Sequence, residues 1–264
     1  MDLLLKDKVA VITGASKGIG LAVVEALGRE GARVVAGSRS TTPELDALRA
    51  RYGVTVVPVD LVAVDGSARL IRAATDQHGR IDILVNNLGM TKPRSSFLEV
   101  DDAEWQRAFE TTFFSAVRIS RAALPHLLSN RAGAIVNISS VNARLPFPMV
   151  VDYSAAKAAL SNLTKALSEE FAPRGVRVNA IAPGPVRTAF WTAPGGFAES
   201  VAKGAGTTAQ QAVDVVVPRQ MAISTGRITE AHEVADLAAF LASPRAANIT
   251  GAEFTIDGGQ IKTT

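Results

Sequence analysis

The chain contains no cysteine, and that absence removes disulfides, thiolate metal sites and cysteine nucleophiles together. Aromatic residues are scarce, at 5%, so Ala, Val, Leu and Ile must fill the core. No apolar run reaches the roughly 18 residues that a membrane span needs. The opening Met1-Asp-Leu-Leu-Leu-Lys is too short and too acidic for a secretory signal. A strong charge of one sign is missing as well. The formal net charge is +3, its basic residues are scattered, and no Lys/Arg run could track a nucleic-acid backbone. The three histidines, His78, His126 and His232, lack metal-ligand spacing. These absences lead to the expectation of a soluble, cytoplasmic protein with no nucleic-acid, membrane or metal partner.

What is present is an ordinary globular balance, 47% hydrophobic and 20% charged, over 264 residues. Short apolar runs alternate with amphipathic stretches throughout. Strand patterns fall at Val9–Ile12, Arg33–Gly37, Val54–Val59, Ile83–Asn86, Ala134–Ile138, Arg177–Ile181 and Glu253–Ile256. Helical periodicity fits about 18–29, 43–51, 66–78, 101–129, 152–172 and 231–242. Alternating β and α with strongly apolar strands predicts an α/β fold: a single Rossmann-type, doubly wound parallel sheet of about seven strands with helices on both faces. Ligands of such a sheet bind at the carboxyl ends of its strands. No internal repeat or linker interrupts the pattern, so residues 1–264 read as one domain. The Gly/Pro/Thr-rich stretch from Thr192 to Thr208 is a long excursion within it, and loops of that length are usually lids or disordered.

Three sites carry chemistry. Gly14, Gly18 and Gly20, in T-G-A-S-K-G-I-G (13–20), follow the first strand and open the first helix. Glycine there permits a tight turn and the close approach of a pyrophosphate to a helix N-terminus. Tyr153 and Lys157, in Y-S-A-A-K (153–157), lie four apart and so share one face of a helix. An ammonium beside a phenol favours the phenolate, so the tyrosine pKa is expected to fall from its usual value of about 10. Ser140, in N-I-S-S-V (137–141), stands near a strand end where its hydroxyl can reach the same substrate oxygen. The arrangement suits moving a proton on or off an oxygen while a nucleotide handles the hydride.

Taken in order with Asn86-Asn87-Leu88-Gly89, these motifs resemble the short-chain dehydrogenase/reductase family, and most closely its 3-oxoacyl-carrier-protein-reductase-like carbonyl reductases. The resemblance runs from Lys8 to Gly259 and leaves out 189–228. It implies a nicotinamide cofactor held by Gly14, Ser16, Lys17, Gly18, Ile19 and Gly20, and by Asn87 and Gly89 at the sheet's rim. Asp60 and Leu61 fall where the family contacts the adenine, although a turn-forming Asp60 reads equally well. Pro183, Gly184, Val186 and Thr188, in A-P-G-P-V-R-T, resemble the segment that closes over the nicotinamide. The second strand ends in Ser38-Arg39, not in an acidic residue, and Lys17 is basic, a combination that goes with NADP(H). Tyr153 is then the proton donor, Ser140 the hydrogen-bond donor to the carbonyl oxygen, and Lys157 both lowers the tyrosine pKa and holds the nicotinamide ribose.

One position departs from the family. Thr112 stands where an asparagine usually supports a water relay to the lysine; it is either a weakened member of the catalytic set or a helix residue bonding its own i−4 carbonyl. Residues 189–228, with Phe190, Trp191, Phe197, Val215–Val217 and Met221, read as a hydrophobic substrate lid, an oligomer contact or plain core packing, and Gly195, Gly196, Gly204 and Gly206 suggest freedom to move. The sequence thus points to an NADPH-dependent carbonyl reductase acting on a small-molecule ketone, in a homotetramer by resemblance. An NAD-linked alcohol dehydrogenase and a cofactor-binding scaffold without turnover remain as alternatives.

Overall fold

Strand β1 (Val9–Thr13) is buried along its whole length, as a strand covered on both faces must be. It belongs to a parallel sheet with β2 (Arg33–Ser38), β3 (Thr55–Pro58), β4 (Ile83–Asn86), β5 (Gly133–Ile138), β6 (Val176–Pro183) and β9 (Glu253–Ile256). In this computed structural model, which describes residues 1–263, the seven strands run in the order β3-β2-β1-β4-β5-β6-β9. All seven strand stretches expected from the sequence are there, within two residues at each end.

Successive side chains of a strand point to opposite faces, and the core divides accordingly. Ala10, Ile12, Val34, Ala36, Ile83 and Val85 face one way, against Val23, Val24 and Leu27 of α1 (Gly18–Arg29) and Val234, Ala235 and Ala238 of α11 (Ala231–Ala242). Val11, Val35, Leu84, Ile135 and Val178 face the other way, against α3 (Gly66–His78), α5 (Ser115–Ser129) and Phe171 at the end of α6 (Val151–Phe171). With so few aromatics, these branched and small side chains do fill the core.

From β1 the chain moves outward through β2 and β3, then returns to lay β4 on β1's other side. The reversal leaves a crevice above the carboxyl ends of β1 and β4, where an open α/β sheet takes its ligand. Thr13-Gly14 and Asn86-Asn87 border that crevice.

Two stretches differ from expectation. The continuous helix expected over 101–129 is α4 (Asp102–Phe109), a π-helical turn (Glu110–Phe114) and then α5. A π-turn widens the spiral by one residue and frees backbone groups, which is why such turns collect at functional sites. Here the Ser115 hydroxyl donates to the freed Thr111 carbonyl (2.6 Å).

The stretch 192–208, expected as a long excursion, is helical in pieces, like the rest of 189–228. The pieces are short helices α7 (Ala189–Thr192), α8 (Phe197–Ala205), α9 (Ala209–Gln211) and α10 (Val217–Gln220), with a second π-turn at Ala212–Val216. Trp191, Ala198, Val213, Val217, Ile223 and Ile228 close an apolar cluster of their own. The glycines there mostly punctuate: Gly206 ends α8 in the left-handed conformation, φ +64°, and Gly196 is its N-cap. The two-residue strands β7 (Val186–Arg187) and β8 (Thr229–Glu230) pair in parallel at the base of this cap. Arg187 bonds Asp214 (2.7 Å) and Glu230 (2.8 Å), tying cap and body together.

Candidate active site

The glycine loop is sewn to the end of β4. The Asn87 side-chain amide donates to the carbonyls of Thr13 (3.0 Å) and Gly14 (3.1 Å), while the Thr13 hydroxyl accepts from the amides of Asn87 (2.9 Å) and Leu88 (3.1 Å). Gly14 turns in the left-handed region at φ +63°. A Cβ on Gly20 would stand 2.3 Å from the Gly14 carbonyl oxygen and 2.5 Å from Asn87 Nδ2, so no side chain fits there. The result is a tight cradle at the start of α1, whose first amides have no side-chain cap. That cradle fits a pyrophosphate: uncapped N–H groups and the helix dipole both favour an anion.

The neighbours of the cradle take the following places. Ile19 packs on the apolar cluster behind it, and the Ser16 carbonyl accepts from the Thr42 hydroxyl (3.0 Å). Leu88, in place of the family's alanine, turns its bulk into the cluster on the sheet's other face. A Cβ on Gly18 would meet Thr188 Cγ2 at 3.2 Å, which brings the segment Pro183–Thr188 down onto the loop. The β7–β8 pairing fixes Val186, and Gly184 lies against the backbone of Asp257, where a Cβ would be 3.0 Å from Asp257 Cα.

Ser38 ends the second strand beside Arg39. Its hydroxyl donates to the Ser40 carbonyl (2.8 Å), and a hydroxyl has one proton to give. Lys17 and Arg39 are both exposed, and neither joins an ion pair among the described residues. Asp60 makes a turn. Its carboxylate is exposed and accepts from the Val62 amide (3.0 Å), the turn-forming arrangement, with Leu61 buried beside it.

At the other end of the crevice, four residues converge. Ser140 follows β5, and its Oγ accepts from the Asn142 amide (3.1 Å), which caps the 3-10 turn Val141–Ala143. That bond leaves the serine proton free to be donated elsewhere. Tyr153 lies in the first turn of α6, and Lys157 one turn on places its Nζ 5.5 Å from the centroid of the tyrosine ring. Lys157 is 2% exposed, and its ammonium donates to the Ile138 carbonyl. Gly89 completes the group: a Cβ there would sit 3.2 Å from Lys157 Nζ and 3.8 Å from Tyr153 Cε2.

The electrostatics reverse one expectation. The Tyr153 pKa is not lowered. Burial pushes it up to about 12, and the nearby Ser140 hydroxyl only partly offsets this. Burial also brings Lys157 down to about 7. Both shifts have one cause: a dry site disfavours the charged form of each group. The nearby ammonium does not outweigh that loss of hydration, so the tyrosine is a neutral phenol at neutral pH.

Thr112 sits in the π-turn packed against α6, fully buried, and its hydroxyl has no hydrogen-bond partner among the described residues. The i−4 bond to its own helix is therefore not made. Sequence reasoning missed Thr13, whose hydroxyl joins the two halves of the cradle, and the buried chain Ser120–Asn86–Asn137–Thr164 (2.8–2.9 Å) that braces β4 and β5 behind it. The asparagines were visible in N-N-x-G and N-I-S-S, but their partners lie on distant helices.

Comparison with known proteins bears on this geometry. Residues 14–260 match the family model described as enoyl-(acyl carrier protein) reductase. The chain belongs to the short-chain dehydrogenase/reductase family. Among its relatives it is 36% identical to the oxidoreductase YvrD of Bacillus subtilis, over 99% of each chain. It is 34% identical to the 3-oxoacyl-(acyl-carrier-protein) reductase FabG of Vibrio cholerae, over 97% of this chain and 98% of that one. The L-sorbose reductase of Gluconobacter frateurii, solved with NADPH and L-sorbose, superposes with a TM-score of 0.92 at 32% identity, covering all of both chains. As a family member the protein binds a nicotinamide cofactor and is an oxidoreductase acting on small alcohol or carbonyl compounds. Among the described residues, no helix is long and apolar enough to cross a membrane.

Proposed function

We propose that the protein is an NADPH-dependent carbonyl reductase in which Tyr153 is the proton donor. The observation that carries this reading is the half-buried, neutral Tyr153 beside the buried Ser140 and Lys157. A phenol held up at about 12 is loaded with the proton that ketone reduction consumes.

NADPH, when bound, supplies the hydride. Gly14, Ser16, Lys17, Gly18, Ile19 and Gly20 would hold its pyrophosphate, Asp60 and Leu61 would border its adenine, and Asn87 and Gly89 would line its path toward Lys157. Pro183, Gly184, Val186 and Thr188 would lie over the nicotinamide. Lys17 and Arg39 supply the two free cations that suit a 2′-phosphate, Arg39 by a planar fork that can engage it through two hydrogen bonds. The Ser140 hydroxyl donates to the substrate oxygen as it gains charge, the duty of an oxyanion hole. Tyr153 then passes its proton to that oxygen. Lys157 steadies the resulting phenolate with its charge, and its approach to the ring holds the phenol in place. Thr112, with an unpaired buried hydroxyl on the facing π-turn, is available to a proton relay behind Lys157.

The cap, 189–228, is read as the substrate lid of a single catalytic domain. Leu145, Phe147 and Phe190 are large apolar side chains left 37–48% exposed on segments that border the crevice, which favours a fairly large hydrophobic or 3-oxoacyl-type ketone. The aromatic ladder Phe97–Trp105–Phe109–Phe113–Phe114, which runs from the turn before α4 through α4 into the π-turn, is the face on which a homotetramer would assemble in the cytoplasm.

The test is NADPH consumption across a panel of ketones and 3-oxo esters. Tyr153→Phe should lower kcat by about 100- to 10,000-fold, the usual worth of a positioned general acid, with NADPH binding retained. A Tyr153→Phe enzyme keeping more than about a tenth of the rate would overturn the reading, since such a loss is far below that range.

A further inference from the structure

Glu253 stands in β9, at the far edge of the sheet, yet its carboxylate reaches the turn that carries Ser140. Its side chain is 9% exposed. One oxygen, Oε2, accepts from the hydroxyl of Ser161, 92 residues away in α6. Ser161 in turn lies 2.7 Å from the hydroxyl of Ser139, and Ser139 is 3.4 Å from the Lys157 carbonyl. The other oxygen, Oε1, lies 2.9 Å from Nε of Arg144, a contact of charges and not an aligned hydrogen bond.

Ser139 and Arg144 are the two flanks of the Ser140 turn. Between them, Ala143 donates to the Ser140 carbonyl (3.0 Å) and Arg144 to the Val141 carbonyl (3.0 Å), so the turn is a closed unit whose two ends lead to one carboxylate. We propose that Glu253 is a positioning residue that sets the Ser140 hydroxyl by gripping both flanks of its turn.

Charge makes the grip directional. A carboxylate can only accept, so Ser161 must give it the one hydroxyl proton it has. Ser161 can then only accept from Ser139, which fixes the Ser139 rotor and leaves the Lys157 carbonyl to other donors. A neutral amide at 253 that presented its NH2 to Ser161 would reverse every bond in the row. At the other flank it would lose the attraction to the guanidinium, a modest term because the Arg144 side chain is 54% exposed.

The proposal deepens the reading of Ser140 as the donor to the substrate oxygen and rests on it. Small misplacements of a reacting group cost rate steeply, so Glu253→Gln should lower kcat on the best ketone of the panel by about 10- to 100-fold. The dissociation constant for NADPH, whose cradle lies at the opposite end of the crevice, should change by less than about twofold, since the lost term belongs to the reaction and not to binding. In a Ser140→Ala background, Glu253→Gln should cost nothing further, because groups acting as one unit are not additive. Ser161→Ala and Arg144→Met, each breaking one flank, should fall between the wild type and Glu253→Gln, and they stand in should that variant fail to fold.

A readout independent of turnover is amide hydrogen exchange in residues 139–146, expected to accelerate about tenfold or more in Glu253→Gln as the local opening free energy drops, with β1 and β4 unchanged. Losses that multiply in the double variant, or unchanged exchange at 139–146, would overturn the proposal. Failure of Tyr153→Phe to abolish turnover would instead strike the reading beneath it, while the exchange experiment would still judge the grip.

Discussion

The loop 14–20 and the segment 189–228 are both rich in glycine, but the residue serves them differently. In the loop, a Cβ on Gly20 would collide with the Gly14 carbonyl and the Asn87 amide; what matters is the space a side chain would occupy. In the cap, Gly204 has nothing within 4 Å, and Gly206 serves to stop a helix. One region is packed backbone against backbone around an absent side chain. The other is a set of short helices over a cluster around Trp191, roped to the body through Arg187. Placement of a phosphate needs the first kind of structure, and admission of a substrate can be left to the second.

Alanine at the two glycines tests that contrast most sharply. Gly20→Ala should weaken NADPH binding by about 100-fold or more and lower the melting temperature, because two backbone segments must shift and backbone misplacement of this kind is costly. Gly204→Ala, in the last turn of α8, should instead raise stability by about 0.4–1 kcal/mol through the unfolded chain. Calorimetry with and without NADPH reads both. Equal behaviour of the two variants would dissolve the distinction.

The cofactor side has a second, smaller handle. Arg39→Asp should raise the KM for NADPH about 10- to 100-fold, the worth of a lost charged contact replaced by repulsion, with the KM for NADH little changed. A parallel rise for both nucleotides would remove the phosphate clamp from the account.

The smallest effect belongs to the cap. Arg187, Asp214 and Glu230 are between 28 and 40% exposed, and exposed pairs contribute about 0.2–1 kcal/mol each. Arg187→Met should therefore shift the KM of the ketone by only about two- to fivefold, and added salt should mimic it in the wild type. Protease cutting within 207–217 should speed up in the variant. Unchanged proteolysis would mean that the apolar cluster alone holds the cap.

How much of this was legible follows the same division. Strand runs such as Val9–Thr13 announce themselves because a strand buried on both faces is apolar at every position. The long helices show because their period is repeated over several turns. The cap helices are three to nine residues long, too short for a period to repeat, so the stretch reads as loop. The candidate site was visible as types and spacing: Tyr153 and Lys157 share a helix face at any tertiary arrangement. Their ionisation was not visible, since four-residue spacing counts the neighbouring charge and cannot count lost water. Ser38 shows the same limit, its hydroxyl being taken by a carbonyl two residues on.

The succession of strands along the chain, the glycines between β1 and α1, and the phenol one turn from an ammonium are local facts, and the sequence determined them alone. Which groups are dry, which hydroxyl has a proton left to give, and which distant carboxylate reaches the serine turn were decided only when seven strands closed side by side. Local backbone preferences act over a few residues, whereas hydration and long-range hydrogen bonds depend on everything that packs around a group.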